Sequence, residues 1–352
     1  MNSVAYNEKS NFKNEINIIY KTESKGEQQI FGYNFVKNNK NNIDLIINYN
    51  KSELIDKYCL KEGINNIKLI IKNNLTNLEY MFYDCKALYS IDELRYLNTS
   101  CCTNFSNMFY YTEISDLKPL ENWDVSNGTN FSEMFKLCSN ISDITPLQKW
   151  DVSKGIDFSG MFFDFCSEIS DIKPLEKWNV SNGINFHSMF TGLKISTIKP
   201  LENWNVSNGT NFGYIFSNCS RLTDIKALKN WNVSNGTNFK GIFCFCEKLT
   251  DIKSLENWDV SNSSAFSCMF IHCKNLIDIT PLENWDVSNC ENFSEMFKDC
   301  SNLSDIKPLE KWNISKGINF KFMFSDCPKI LFIRNLLGKW KLLNKNITID
   351  II

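Results

Sequence analysis

Apolar residues recur through most of the chain in one fixed order, separated by polar residues whose identities also repeat. Read from Cys219, the apolar positions are Leu222, Ile225, Leu228, Trp231, Val233, Phe239, Ile242 and Phe243, and neighbouring stretches repeat these types. The unit can be followed by its tryptophans, Trp123, Trp150, Trp178, Trp204, Trp231, Trp258, Trp285 and Trp312. It can be followed equally by the Phe that closes each MF step, from Phe82 to Phe324. A fixed period of about 27 residues marks a solenoid, in which each unit buries its apolar face only against its neighbours. The pattern predicts an elongated core and a scaffold before it predicts any chemistry.

Each coil divides into three predicted elements. In LTDIKAL, Asp224 and Lys226 flank Ile225, and this alternation predicts a short strand with one face inward. Six of the seven prolines follow in one slot (Pro119, Pro146, Pro174, Pro200, Pro281 and Pro308), where the missing N–H is expected to stop strand pairing. Trp and Val, two residues apart, share a face and are read as core. The glycines of the next turn, Gly128, Gly155, Gly183, Gly209, Gly236 and Gly317, predict a positive φ, with Ser263 and Cys290 replacing them in two coils. TNFSEMF then predicts a short helical turn capped by Thr or Asn, with Phe and Met inward. Ten such coils at strand spacing would extend roughly 45–50 Å.

The ends depart from the period. Residues 1–11 are read as a disordered N-terminus and 12–74 as a β-rich capping module, with strands expected in INIIYK, QQIFGYNFV, NIDLIIN and NNIKLIIK. The solenoid is assigned to 75–327, its first coil carrying Leu97 in the Trp slot, and 328–352 to a C-terminal cap with a helix around Leu336–Leu343. A cap at each end is expected because an open solenoid exposes apolar surface and unpaired edges.

The segment NWDVSNGTNFSEMFKLCSNISDI and its copies resemble the BspA-type leucine-rich repeats, whose consensus is similar to NWDTSNVTNMSYMF. The likeness covers roughly residues 75–330, and a motif this long repeated this often is specific. The chain departs from that pattern in placing Gly after SN and KPL where a DLS-like strand is usual. The resemblance implies an α/β solenoid of right-handed coils with short parallel strands and short helical turns. It also implies a non-enzymatic protein-interaction or adhesion role, often at a cell surface.

Composition narrows the remaining possibilities. With 43% hydrophobic residues and a net charge of −2, nothing in the overall balance favours nucleic acid or an acidic membrane. No apolar run approaches the roughly 18 residues of a membrane span, so none is expected. The first residues show no basic region followed by an apolar stretch, which gives a cytoplasmic expectation, with the cell surface as the alternative that the resemblance implies. Eight of fourteen cysteines (Cys85, Cys138, Cys166, Cys219, Cys246, Cys273, Cys300 and Cys327) recur once per coil, as buried thiols in a reducing compartment would.

Metal, cofactor and catalytic sites are not expected. Cys244 with Cys246 and the adjacent Cys101–Cys102 lack zinc spacing, and one Asp per coil (Asp116, Asp143, Asp171, Asp224, Asp251, Asp278, Asp305) does not supply calcium's six to eight oxygens. Those carboxylates are read as acceptors of backbone N–H groups or as partners of the neighbouring lysines. His187 and His272 fall at different places in their coils, and no nucleophile or phosphate-cradling loop accompanies them. The one regular charged feature is the column Lys118, Lys173, Lys199, Lys226, Lys253 and Lys307, a candidate interaction face on the expected strands. It barely varies, whereas the pair after each MF step changes in every coil, and a specific protein partner is more naturally sought there. A protein-binding scaffold is the leading expectation, with a surface adhesin and a self-associating architectural element as alternatives.

Overall fold

A computed structural model describes residues 12–164, 168–330 and 333–343; the N-terminus at 1–11 and Cys166 lie outside the described residues. The chain forms a repeat solenoid headed by a small β module. The module contains β1 (Glu15–Thr22), β2 (Gly26–Gln29), α1 (Tyr33–Asn39), β3 (Ile43–Ile47), β4 (Asn50–Glu53), β5 (Lys57–Leu60) and β6 (Gly63–Ile71). A short β7 (Leu88–Ser90) comes from the first coil and pairs antiparallel with β1. The sheet order β4-β3-β6-β1-β7 therefore joins module and solenoid through one ladder. Ile16, Ile18 and Tyr20 of β1, with Ile67 and Leu69 of β6, are fully buried at alternate positions.

One expected strand is corrected. In QQIFGYNFV only the start pairs, in β2, and the rest turns into α1. Gly32 donates to the Tyr80 carbonyl at 3.2 Å, an approach so close that a Cβ there would overlap that oxygen, and the chain must turn. The helix then carries Phe35 beside Phe31, whose ring lies 5.8 Å from Phe82. These two rings cover the first end of the Phe column.

The strand expected in LTDIKAL is corrected as well. Each coil instead runs into a 3₁₀ helix here, Lys118–Leu120, Thr145–Lys149 and Lys226–Asn230 among them. The preceding Ile sits near φ −115, ψ 19 in Ile225, outside the strand region, and Pro at the first turn supplies the φ that a helix start requires. Proline here begins a helix where it was expected to end a strand. The Asp column fixes the turn, because Asp116 Oδ1 accepts the Lys118 N–H at 2.8 Å and Asp251 Oδ1 accepts the Lys253 N–H at 2.8 Å. Two further Asx turns follow in the same coil: Asp124 Oδ1 accepts from Ser126 N–H and Asn130 Oδ1 from Ser132 N–H, both at 3.0 Å.

Parallel pairing is confined to single bridges. One column runs through ten residues from Asn77 to Asn319, all within the TNF segment, and a separate bridge joins Thr197 to Asp224. The following FSEMF segment is a ladder of turns, not the helical turn expected. Met134 N–H bonds back to Phe131 C=O within its coil, while Phe131, Glu133 and Phe135 N–H groups bond to Asp157, Ser159 and Met161 of the next. Alternate N–H groups point along the stack because two residues per coil hold positive φ, Glu133 at 55° and Leu137 at 59°. Among the described residues, sixteen non-Gly residues of the solenoid adopt this conformation, Tyr80 to Asp326, and Gly160, Gly192 and Gly241 share it.

The glycines after SN serve a different need. They are absent from the positive-φ residues, so the expected conformational reason is corrected to a steric one. A Cβ on Gly236 would overlap the Phe239 ring and lie 2.9 Å from the Val233 carbonyl. Glycine suits the slot because the Phe ring lies against its backbone. Cys102, Ser263 and Cys290 occupy it in other coils and keep its hydrogen bond to the residue three before; Phe266 and Phe293 tilt to 32°, while Phe105 after Cys102 stays parallel to Phe131.

Side chains close the inside of the stack. Each Trp Nε1 donates to the Leu carbonyl of the preceding coil, from Trp123 to Leu94 at 2.8 Å through Trp231 to Leu201 at 3.0 Å to Trp312 to Leu282 at 2.8 Å. Cys219, Cys246, Cys273 and Cys300 donate their S–H to the preceding coil's Phe carbonyl at 3.1–3.2 Å. On the outside, Asn208 and Asn235 amides reach back to Ser181 and Ser207 carbonyls at 2.8 and 2.7 Å. Parallel indoles repeat at 6.5 Å, against about 4.8 Å for hydrogen-bonded strands, so the coils fan open towards the 3₁₀ side. The turn ladder is thus the concave side.

The C-terminal segment continues this plan more closely than its sequence suggests. The helix α2 (Ile333–Leu343) carries Trp340, fully buried against Phe320 at 5.3 Å. The step from Trp312 to Trp340 matches the period, so α2 delivers a ninth indole to the column on a different scaffold. Its Nε1 has no partner, unlike its predecessors.

Opposite signs are expected for two small substitutions. Gly236→Ala forces the Phe239 ring from its place and lowers stability by about 1–3 kcal/mol. Ser188→Gly relieves a positive φ of 55° and raises stability by up to about 1 kcal/mol. Urea unfolding midpoints of the two variants check both, and a stable Gly236→Ala protein would contradict the steric account. Trp231→Phe removes one of two donors to the Leu201 carbonyl, which keeps the Trp204 N–H at 3.1 Å, and costs about 0.5–1.5 kcal/mol in the same assay.

Candidate interaction surface

The repeating backbone places outward side chains on two faces. On the convex face, Lys118, Lys173, Lys199, Lys226, Lys253 and Lys307 each begin a 3₁₀ helix and are exposed. They lie on no strand, and the face expected for them is corrected accordingly. Their backbone N–H groups, not their ammonium groups, engage the neighbouring Asp, except at Lys199, where Thr197 Oγ1 accepts. Ion pairs on this side join other residues across coils, Lys149 to Glu121 at 3.1 Å and Lys311 to Glu283 at 3.0 Å.

The concave turn face carries the residues that vary. The left-handed positions and their neighbours put four side chains per coil on this surface. Towards the first end it is aromatic and charged: Tyr83 and Tyr110 stack at 4.6 Å, Lys86 lies over Tyr111 at 4.3 Å, and Lys136 over Phe163 at 5.0 Å. In the middle, small buried residues, Gly160, Ser188, Thr191, Gly192, Gly213 and Ser217, surround the pair His187 and Tyr214. Beyond them His272 stacks on Phe245 at 4.3 Å and pairs through Nδ1 with Asp299. Aromatic groups thus recur along the face, separated by small residues. Few residues keep one identity from coil to coil there, which is why column counting missed it; the signal was the changing dipeptide after MF.

The two histidines lie on this face but apart. His187 is edge-on to Tyr214 at 5.7 Å, and burial pushes its imidazole below the ordinary value. Neither histidine has a nucleophile oriented by it among the described residues. No three His, Cys, Asp or Glu groups gather among those residues as a metal would require, and no described helix is long and apolar enough to cross a membrane.

The buried cysteines are chemically quiet. All thirteen described are free. Burial pushes the Cys138 and Cys219 thiols up to about 12, and Cys246, Cys273 and Cys300 well above their ordinary value of 9.0. The folded state therefore favours the thiol over the thiolate, the nucleophilic form. Because the folded value is the higher one, the stabilisation is complete below about 9 and falls as pH climbs towards about 12. Each such thiol should cost about 1.4 kcal/mol per pH unit in that window. Urea melts at pH 8 and pH 10 should show a smaller loss in Cys219→Ala than in the native chain, by about that amount. Equal losses would mean that Cys219 is not held as a thiol.

Comparison with known proteins agrees with the repeat architecture. No curated protein matches the chain. A family described as "Mycoplasma protein of unknown function, DUF285" matches three times in overlapping tandem, over residues 76–194, 163–276 and 244–348. The last match runs through Trp340 and α2, where the structure continues the indole column. Together these matches span the solenoid from its first coil to the helix, and the chain belongs to the DUF285 repeat family.

Proposed function

We propose that this chain is a non-enzymatic protein-interaction scaffold of the BspA-like leucine-rich-repeat type, its coils right-handed, and that it engages a protein partner along the concave turn face. The observation that carries this reading is where variation falls. The core and the 3₁₀ side repeat almost unchanged, while the turn face differs in every coil and has aromatic pairs at Tyr83–Tyr110 and Phe245–His272. Aromatic groups on a preformed backbone lose little conformational entropy on binding and dominate protein interfaces.

A reducing, cytoplasmic setting is part of the proposal, with a cell-surface adhesin as the competing reading. The free, buried cysteines support the former. So do Asn127, Asn208 and Asn235, whose amides in N-x-S/T sites are spent bonding to the previous coil, where a glycan would intrude.

Affinity capture from the source cells separates the faces. Tyr83→Ala with Tyr111→Ala should weaken capture of a specific partner about 30-fold, a loss typical of interface hot spots. Lys118→Glu with Lys173→Glu should leave it unchanged. The reverse pattern would move the interface to the convex side. Surface proteolysis of intact cells should spare the protein, and digestion would favour the adhesin. A light-scattering series showing growth of assemblies with concentration would favour self-association.

A further inference from the structure

The two ends of the turn ladder are not alike. Each coil before the last sends four N–H groups to carbonyls of the coil after, as Phe293, Glu295, Phe297 and Asp299 do to Asn319, Lys321, Met323 and Ser325 at 2.8–2.9 Å. In the last coil the corresponding N–H groups, those of Phe320, Phe322, Phe324 and Asp326, have no acceptor among the described residues. Helix α2 covers the core beside them through Leu336, Leu337 and Trp340, while Lys321, Phe322 and Asp326 stay exposed. Of the carbonyls in this stretch, those of Phe320, Lys321, Phe322, Met323 and Ser325 already accept backbone N–H groups. The edge is therefore dominated by donors.

We propose that an acidic, extended segment of a partner protein docks on this edge, its carbonyls and carboxylates standing where a following coil would place its acceptors. Charge favours such a segment. Residues 311–343 hold seven lysines and arginines against one carboxylate, Asp326, in a chain whose net charge is −2. Lys311 and Lys339 pair with Glu283 and Glu310, but Lys316, Lys321 and Lys329 are exposed and have no carboxylate partner among the described residues. Lys316 and Lys329 reach back only to the Asn289 and Asn302 amide oxygens. Donors amid lysines select acceptors that carry negative charge, and the exposed Phe322 ring adds an apolar contact. A second copy of this chain does not fit. Two such edges would set donors against donors, and the first coil's matching carbonyls are covered, Asn77 by Asn39 Nδ2 at 3.1 Å and Met81 by Gly32 N–H at 3.2 Å. An anionic membrane fits less well, because α2 already buries Leu336, Leu337 and Trp340 in the solenoid. The edge closes the array and does not rest on the turn-face reading.

The probe is a fluorescently labelled peptide of about twelve residues alternating Glu and Thr, added to the full chain. Its binding should slow amide hydrogen exchange at Phe322 and Asp326, read by NMR, at least about tenfold, because these groups start without an acceptor. Lys321→Glu with Lys329→Glu, both at exposed positions, should weaken binding in fluorescence anisotropy at least about tenfold. Tyr83→Ala with Tyr111→Ala, on the turn face, should change it less than about twofold. No binding at roughly 1 mM, or binding that leaves the two amides exchanging as before, overturns the proposal. So does an equal effect of a Lys–Thr peptide, or slowing by phosphatidylserine vesicles or single-stranded DNA where the Glu–Thr peptide gives none. Binding that appears only once residues 344–352 are removed assigns the edge to the chain's own end and overturns it as well.

Discussion

A coil with almost no regular secondary structure must still satisfy its buried backbone, and that requirement governs this molecule. Sheet ladders normally do this work, but here they shrink to one bridged residue per coil. Side chains add to this on the inside: an indole N–H and a thiol S–H reach carbonyls of the preceding coil that already accept one backbone N–H, Leu201 from Trp204 and Phe216 from Cys219. Three Asx turns absorb the N–H groups at the corners. Trp, Cys and Asx are thus as much hydrogen-bonding devices as packing or charge. Their columns recur because each side chain adds a bond between neighbouring coils, although Thr112 and Leu193 stand in the Cys slot of two of them.

The turn ladder obtains its inter-coil bonds at a conformational cost. Left-handed backbone at residues such as Tyr80, Leu137 and Phe322 is unfavourable for an L side chain by about 1–2 kcal/mol. It persists because it aims alternate N–H groups at the next coil, where each finds a carbonyl. The same twist lays the flanking side chains on the concave surface. Any residue can stand there provided its backbone tolerates the turn, so that face is free to vary while the inside is not.

The sequence made the period, the inward Trp, Val and Phe columns and the backbone role of the Asp column legible, because each follows from recurrence at fixed offsets. It misplaced the strand because Ile225 between polar residues has the alternation of a strand, although the Asx turn and Pro slot around it select a 3₁₀ start. It gave the SNG glycines the wrong reason, since crowding by Phe239 is a tertiary effect with no local signature. Positive φ falls instead on a mixture of types, Asn and Asp in some coils but Glu, Leu, Tyr and Phe in others, which no turn rule would nominate. Trp340 was readable from spacing alone, but the surrounding apolar, basic segment masked its membership of the column. The candidate surface was legible only as variation, because its side chains share positions in the coil and little else.

The direction of the bonds has one more consequence. Trp, Cys and outer Asn side chains always donate to the coil before, and turn-ladder N–H groups always donate to the coil after. Most internal coils therefore present the same donors and acceptors to both neighbours, and removing or duplicating one of these leaves each junction chemically unchanged; the coils with Thr112 and Leu193 in the Cys slot are exceptions. Only the first coil, stitched to β1, and the last, under Trp340, are tied to particular neighbours. The array behaves as a modular rule whose length is adjustable by descent, a coil at a time, without inventing a new contact. Its reach can evolve separately from the surface it displays.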